Sequence, residues 1–512
     1  MFFNHILICI FVARLKSRRE KRSKKNRPSI MNNPLLRKKS ISLLISESES
    51  SSGLKRNLTA FNLVTLGIGA IVGVGIFVVT GQAAAQYAGP ALTISFMISA
   101  FACVLAGLCY AEFASMIPVS GSVYAYSYTT IGEFPAWFIG WILILEYLLA
   151  CASVSVGWSG YMLNLLNDAG IHFPAVISQS TLAHSAEKGW YFTGALFNFP
   201  AVFIVVLLTS FLLGGVKQSA WINNLIVVIK VGVILLFIGF GLSYIDMENL
   251  TPYIPEPTSD SFGEFGWGGI LRGAAVVFYA FLGFDALSTA AQEAKNPQKD
   301  MPKGILISLG ICALLYIAVT TVLTGIVPYQ ELNVDAPIAV AIDRVGEGLA
   351  WLSPYIKIGA IAGLSSVILV MMLGQSRIYY AIAKDGLLPS FFGQIHKKTR
   401  IPYRATVLAG SATAIVAALL PLDVLAELVS IGTLFAFAMV CIAIVILRRT
   451  RPDLKRPFKT PFSPFVPLLG AAICIMQMAA LPLNSWLRLL GWSVIGTIIY
   501  FFYGRKHSKL NK

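Results

Sequence analysis

Charge is what this 512-residue chain most conspicuously lacks. Only 12% of its residues are Asp, Glu, Lys or Arg, about half the share of an ordinary soluble domain. Histidine is scarce as well. His5, His172, His184, His396 and His507 all fall outside the long apolar runs, which excludes histidine-based chemistry and histidine-held metal within them. The seven cysteines, Cys9, Cys103, Cys109, Cys151, Cys312, Cys441 and Cys474, form no C-x-x-C and no Cys/His metal spacing, so they read as small apolar core residues. Nowhere is Gly followed directly by Lys, so there is no phosphate-binding loop and no sign of a nucleotide-driven pump. No G-x-S-x-G occurs either. An integral membrane enzyme is therefore the remotest reading. No catalytic residue, cofactor or metal site is expected.

What is present is apolar sequence: 56% of residues are hydrophobic. A run of about 18 uncharged apolar residues is long enough to cross a bilayer core of about 30 Å as a helix. Twelve runs are read as spans, at roughly 62–88, 91–117, 135–165, 198–215, 220–243, 268–290, 304–328, 352–383, 405–420, 424–447, 464–483 and 487–504. The expectation is an all-α integral membrane protein with a transmembrane domain over 56–505 and a basic tail over 506–512.

The net charge of +16 could point to nucleic acid, but its placement points to a lipid bilayer. Basic residues gather in alternate connections: Lys295, Lys299 and Lys303, then Lys384, Lys397, Lys398, Arg400 and Arg404, then Arg448 to Lys459. The stretch 244–267 between two spans holds five acids and no Lys or Arg. This is the positive-inside pattern of twelve spans in a cytoplasmic membrane with both ends cytoplasmic. Residues 1–55 form a basic and polar cytoplasmic lead-in. Within it, 1–30 are read as an upstream extension with Met31 as the usual start, and 40–55 as a mobile Ser/Glu-rich stretch.

The first five spans (about 60–242) and the next five (about 267–447) are nearly equal in length, with two extra helices after them (about 464–504). Five is odd, so the second block enters the membrane in the opposite orientation, as in the inverted repeats of secondary transporters. The first helix of each block is interrupted. Gly67, Gly69, Gly73 and Gly75 punctuate the first, and Gly283 followed by Asp285 punctuates the sixth. The alternative is that these glycines are packing notches of the small-xxx-small kind. A break at that depth must line a polar cavity or be buried in protein. Freed N–H groups at a half-helix start attract an anion and freed carbonyls at a half-helix end attract a cation. An α-amino acid carries both charges on one carbon.

Lys230 lies nine residues beyond Trp221, roughly 14 Å along a helix and near the middle of the core. A lysine there costs at least about 2.5 kcal/mol on insertion scales. Burial disfavours the charged form of a lysine, which makes Lys230 a candidate proton carrier; the alternative is a structural lysine with a buried partner. Glu146 and Asp285 also fall within or beside spans and are read either as part of a proton path or as structural partners. Glu112 reads as an ordinary helix-end charge, and Arg272 and Lys357 as side chains snorkelling to the outer surface.

These residues, taken in order, resemble the amino acid–polyamine–organocation superfamily, in particular its bacterial cationic-amino-acid-transporter-like branch. The resemblance runs from about residue 35 onward. It is carried by Gly67–Phe77, Tyr110-Ala111-Glu112, Pro118-Val119-Ser120-Gly121-Ser122, Trp141–Tyr147, Asn223-Asn224 through Lys230, Gly283-Phe284-Asp285-Ala286, Lys295-Asn296-Pro297, Gly363-Leu364-Ser365-Ser366 and Gly374-Gln375-Ser376-Arg377. It implies a LeuT-like five-plus-five inverted repeat with helices 1 and 6 broken and two further helices at the end.

The resemblance also implies roles. Ile71, Gly73, Val74 and Gly75 would hold the substrate carboxylate, the carbonyls of Tyr279, Ala280 and Leu282 the ammonium, and the Tyr279 ring would gate the outer side. A cation site between spans one and eight would map to Gly69, Val72, Ser365 and Ser366, with Lys230 replacing the ion and protons doing the coupling. Cationic relatives of the human type have fourteen helices, whereas this chain has room for twelve. Neutral amino acids are the first expectation for the substrate and cationic ones the second. An amino acid/amine exchanger on the same fold is the alternative.

Overall fold

A backbone that crosses hydrocarbon must satisfy its own hydrogen bonds, and a helix does so within one segment. In the computed structural model the apolar runs are accordingly helical. The structure describes residues 34–41, 43–44, 58–119, 121–185, 189–214, 220–258, 262–396 and 401–511. Most of the basic lead-in, the proposed extension, Ser120 of the quoted Pro118–Ser122 stretch, and Lys397, Lys398 and Arg400 lie outside them.

The order is α1 (Ala60–Ile71); α2, a run of π and α turns over Gly75–Val79, Thr80–Ala83 and Ala84–Ala88; α3 (Leu92–Met116); α4 (Ser122–Thr130); α5 (Glu133–Asp168); α6 (Phe199–Leu213); and α7 (Ala220–Gly241). Then come α8 (Gly266–Val277), α9 (Phe284–Thr289), α10 (Pro297–Ile326), α11 (Pro337–Val345), α12 (Ser353–Lys384), α13 (Tyr403–Leu419), α14 (Leu422–Thr450), α15 (Phe465–Ala480) and α16 (Leu483–Ile499). Eight helical stretches among the described residues are long and apolar enough to cross a membrane, and α1, α6, α13 and α15 are shorter apolar helices. One departure from an all-α chain is a small antiparallel hairpin between α5 and α6, β1 (Leu182–Ser185) with β2 (Gly189–Phe192). These strands lie outside the apolar runs.

α5 is the spine of the fold. It packs along α12 and α14, while α10 packs along α3 and α1, and α7 along α1 and α12. Six of the cysteines are free and buried within this packing.

Three charged residues differ from their sequence reading, because each finds a partner distant in the chain. Glu112 is fully buried and held by Arg448, Nε at 3.0 Å and Nη2 at 2.5 Å, and by the Thr460 N–H at 2.8 Å. Lys357 is also fully buried and donates to Asp168 at 2.6 Å. Arg272 reaches Glu427 at 3.3 Å and lies over the Tyr87 ring. At the basic end, the two ends of the described chain meet. Lys39 donates to Asp385 at 2.6 Å, Ser508 to Glu133 at 2.6 Å, and the Lys509 N–H to the Asp385 carbonyl.

Removing one partner of a buried ion pair leaves the other uncompensated. Glu112→Ala is therefore expected to destabilise the protein by about 3 kcal/mol. Arg451→Ala, which breaks an exposed pair with Asp453, should change stability by less than about 1 kcal/mol. Thermal unfolding in detergent compares the two, and equal melting temperatures would refute the assignment.

Candidate functional site

α1 stops at Ile71. Val72, with φ −71° and ψ 97°, leaves the helix, and helical geometry resumes from Val74 into α2. α8 stops at Val277 and passes through a tight turn, Phe278–Phe281. Leu282 is then extended, and Gly283 has φ +123° before α9 begins. That φ favours glycine, and a Cβ there would lie 2.6 Å from the Ala70 carbonyl oxygen. A Cβ on Gly75 would overlap the Cα and Cβ of Ala280. The two interruptions thus touch, backbone against backbone.

The lining between them consists of Ala70, Ile71, Gly73, Val74 and Gly75 from the first break and Tyr279, Ala280 and Leu282 from the second. Ala150 and Val154 of α5, and Val367 and Met371 of α12, close the sides. All seven residues expected to hold substrate border this one space. It carries no charged side chain. Its volume is ≈ 10 Å³, about what a single water needs, so the lining is closed down. Tyr279 is buried, its hydroxyl 3.4 Å from the Ala150 carbonyl.

One residue missing from the sequence reading joins the breaks. The Tyr316 hydroxyl on α10 lies 2.8 Å from the Ile71 carbonyl and 2.7 Å from the Ala280 carbonyl. It bridges an end of each half-helix, so the Ala280 carbonyl expected to take the ammonium already has a hydrogen-bond donor. A tyrosine in an apolar helix gives no local sign of this. The only cue was its polar tip, which a buried tyrosine must satisfy.

Lys230 crosses from α7 to the first break. Fully buried, it donates to the Gly69 carbonyl at 2.5 Å and to the Val72 carbonyl at 2.9 Å. Both are end carbonyls of α1, where the helix leaves acceptors unfilled. Its stem passes Gly363 of α12, where an added Cβ would come within 3.3 Å of Lys230 Cδ. The hydroxyls expected beside the lysine are bonded elsewhere. Ser365 donates to Ile361 and accepts from Trp158, and Ser366 donates to Gly363. On a helix interior, a serine's nearest acceptor is the carbonyl three or four residues back. α12 therefore meets the lysine through Gly363.

Asp285 is fully buried, accepting from the Tyr147 hydroxyl at 2.7 Å and the Gly283 N–H at 3.1 Å. These bonds fasten the second break to α5. Glu146, one residue before Tyr147, accepts from Thr433 at 2.9 Å through Oε1, while its Oε2 has no partner among the described residues. Neither carboxylate borders the small space between the breaks.

Gly73 and Gly75 separate two effects. A Cβ on Gly73 meets only Val367 side-chain carbons, the nearest at 3.1 Å. Gly73→Ala should therefore fold, with substrate affinity reduced at least about tenfold by the filled space. Gly75→Ala pushes the half-helices apart and should lower stability by about 1–3 kcal/mol. Tyr316→Phe should fold yet lose about tenfold or more in transport, since the one hydroxyl proton that the two facing carbonyls share is lost. Thermal unfolding and uptake assays on the three variants check this; wild-type uptake by Gly73→Ala and Tyr316→Phe would refute it.

The family model described as Amino acid permease matches residues 58–503. The chain is 46% identical to the branched-chain amino acid permease BcaP of Bacillus subtilis, over 94% of this chain and 100% of that protein. It is 45% identical to the methylthioribose transporter of the same organism, over 93% and 99% respectively. With the vacuolar cationic amino acid transporter 4 of Arabidopsis thaliana it shares 34% identity, over 82% of this chain and 68% of the relative. With its glycine-broken helices, buried lysine and match along nearly the whole chain, this protein belongs to the amino acid permease family.

Proposed function

We propose that this amino acid permease imports amino acids with apolar side chains across the cytoplasmic membrane, driven by protons through Lys230. The observation that carries the coupling is the pair of hydrogen bonds from Lys230 Nζ to the Gly69 and Val72 carbonyls. Two carbonyls at a helix end are the partners a bound cation would take, and a charged ammonium fills that place. Charged, it holds α1 against α7, with Gly363 of α12 behind it. Neutral, it donates more weakly and frees α1 to move. Asp285 and Glu146 are the buried carboxylates proposed for the proton path. Asp285 fastens the second break, and the unpaired oxygen of Glu146 is a place for a proton.

The substrate class follows from the lining. The Gly73–Gly75 N–H groups face a carboxylate, and the carbonyls of Tyr279, Ala280 and Leu282 an ammonium. Val154, Val367 and Met371 then leave only apolar surface for the side chain. No carboxylate borders that space, so a cationic side chain has no partner there. The name of the Bacillus subtilis relative, branched-chain amino acid permease, agrees with this. In the membrane we read α1 with α2 and α8 with α9 as two broken crossings and α3, α5, α6, α7, α10, α12, α13, α14, α15 and α16 as ten more, arranged as a five-plus-five inverted repeat of the LeuT type followed by two helices. The basic connections and both ends then lie in the cytoplasm.

Proteoliposomes test the coupling. Uptake should rise as the outer medium is acidified and collapse with a protonophore. Lys230→Ala should abolish accumulation while some substrate binding survives, and Lys230→Arg should fail too, because a guanidinium stays charged. A Lys230→Arg variant that concentrates substrate, or wild-type uptake that follows sodium and ignores pH, would overturn the mechanism. Transport only from vesicles preloaded with substrate would mark an exchanger. As a gate formed by a ring face, Tyr279 should tolerate Phe but lose about tenfold in transport as Ala. A binding panel of the amino acids, with methylthioribose included, checks the substrate class, and arginine bound more tightly than leucine would refute it.

A further inference from the structure

The connection between α14 and α15, residues 451–464, is built unlike a passive loop. Its inner side is fastened. Arg456 donates to the Leu454 and Arg451 carbonyls at 2.8 Å each. Thr460 is buried, its N–H on Glu112 and its hydroxyl on the Leu108 carbonyl at 3.1 Å. Arg456, together with Arg448 in the last turn of α14, is taken up by Glu112, and Arg451 by Asp453.

What remains faces outward. Arg449, Lys455 and Lys459 are exposed and have no ion-pair partner among the described residues. Beside them stands Phe462, 84% exposed, with Phe465 at the start of α15 66% exposed. Phe462 has φ +44°, the left-handed region that a bulky residue adopts only at a cost. The chain therefore holds an aromatic ring away from its own core, three residues after Lys459 and immediately before an apolar helix. An aromatic ring at a bilayer boundary beside Lys and Arg is the pattern of an interfacial anchor.

We propose that this connection is a binding site for anionic phospholipid headgroups. The lipid phosphate lies against Arg449, Lys455 and Lys459 while Phe462 and Phe465 enter the boundary between headgroups and acyl chains. Charge complementarity selects the occupant. The leaflet facing the basic connections is the one that carries anionic lipid, and each basic residue near it raises affinity on the order of fivefold. The fastened inner side makes the site rigid, so little ordering is needed when the lipid binds.

Native mass spectrometry of protein taken from nanodiscs of phosphatidylcholine mixed with phosphatidylglycerol tests this. The readout is lipid retention, so it is independent of whether amino acids are carried. The wild type should retain phosphatidylglycerol in preference. The triple variant Arg449→Gln/Lys455→Gln/Lys459→Gln should lose on the order of a hundredfold of that preference, three residues at about fivefold each. Should the triple variant fold poorly, Lys455→Gln alone should lose about fivefold, and Phe462→Ser should weaken retention of both lipids. Inorganic phosphate should displace neither lipid. Equal retention of the two lipids by the wild type, an unchanged preference in the charge variants, or displacement by phosphate would each overturn the proposal.

Discussion

The rest of the structure depends on what becomes of backbone groups that a broken helix leaves unpaired in a dry interior. Each such group must find a partner, or folding bears the full cost of its desolvation. At the first break three partners answer. Lys230 takes the Gly69 and Val72 carbonyls, Tyr316 takes Ile71, and the Ile76 and Phe77 N–H groups return to Gly73. At the second, the Ala280 carbonyl shares that same tyrosine hydroxyl proton with Ile71, and Asp285 takes the Gly283 N–H. Every one of these partners except the local N–H groups comes from another element or lies just past the break. The interruptions are thus held open by α7 and α10, and glycine is needed at Gly75 and Gly283 because nothing larger lets the backbones approach.

Sequence made half of this legible. The spacing of Gly67, Gly69, Gly73 and Gly75 and the depth of Lys230 are local facts, and they pointed to the break and the buried lysine beside it because glycine and charge are costly in a membrane helix. The residues of the lining, Ile71 to Gly75 and Tyr279 to Leu282, follow from the same breaks. Long-range partners were not legible. Tyr316 looks like any aromatic in an apolar run until the two carbonyls are seen beside its hydroxyl. Glu112, Arg272 and Lys357 look like ordinary end charges because Arg448, Glu427 and Asp168 lie 336, 155 and 189 positions away. Ser365 and Ser366 were placed at the lysine by resemblance, but their hydroxyls are taken up by their own helix and by Trp158.

The ion pairs at the two ends of the molecule differ in exposure. Lys39–Asp385 is buried at the basic end, and the Asp385 carboxylate also accepts from Tyr124. Arg272–Glu427 at the opposite end is partly exposed, at 20% and 15% of side-chain surface. Breaking a buried pair leaves two desolvated charges, whereas water can compensate a partly exposed one. Losing one partner of Arg272–Glu427 therefore costs less than losing one partner of Lys39–Asp385.

Closure at the centre sets a further condition. A space of ≈ 10 Å³ is too small for any amino acid, so the lining must part before substrate enters. The surfaces that meet there are Gly75 on Ala280 and Gly283 on Ala70, contacts made by backbone with almost no side chain. Such contacts bury little apolar area and so contribute little to holding the halves together. The hydrogen bonds of Tyr316 and Lys230 contribute more, because they are made away from water. On the proposed reading, a substrate ammonium can replace the tyrosine hydroxyl as donor to these carbonyls. On the proposed mechanism, the lysine's two bonds have no such substitute in an apolar amino acid, and a change in the lysine's own charge is what would weaken them.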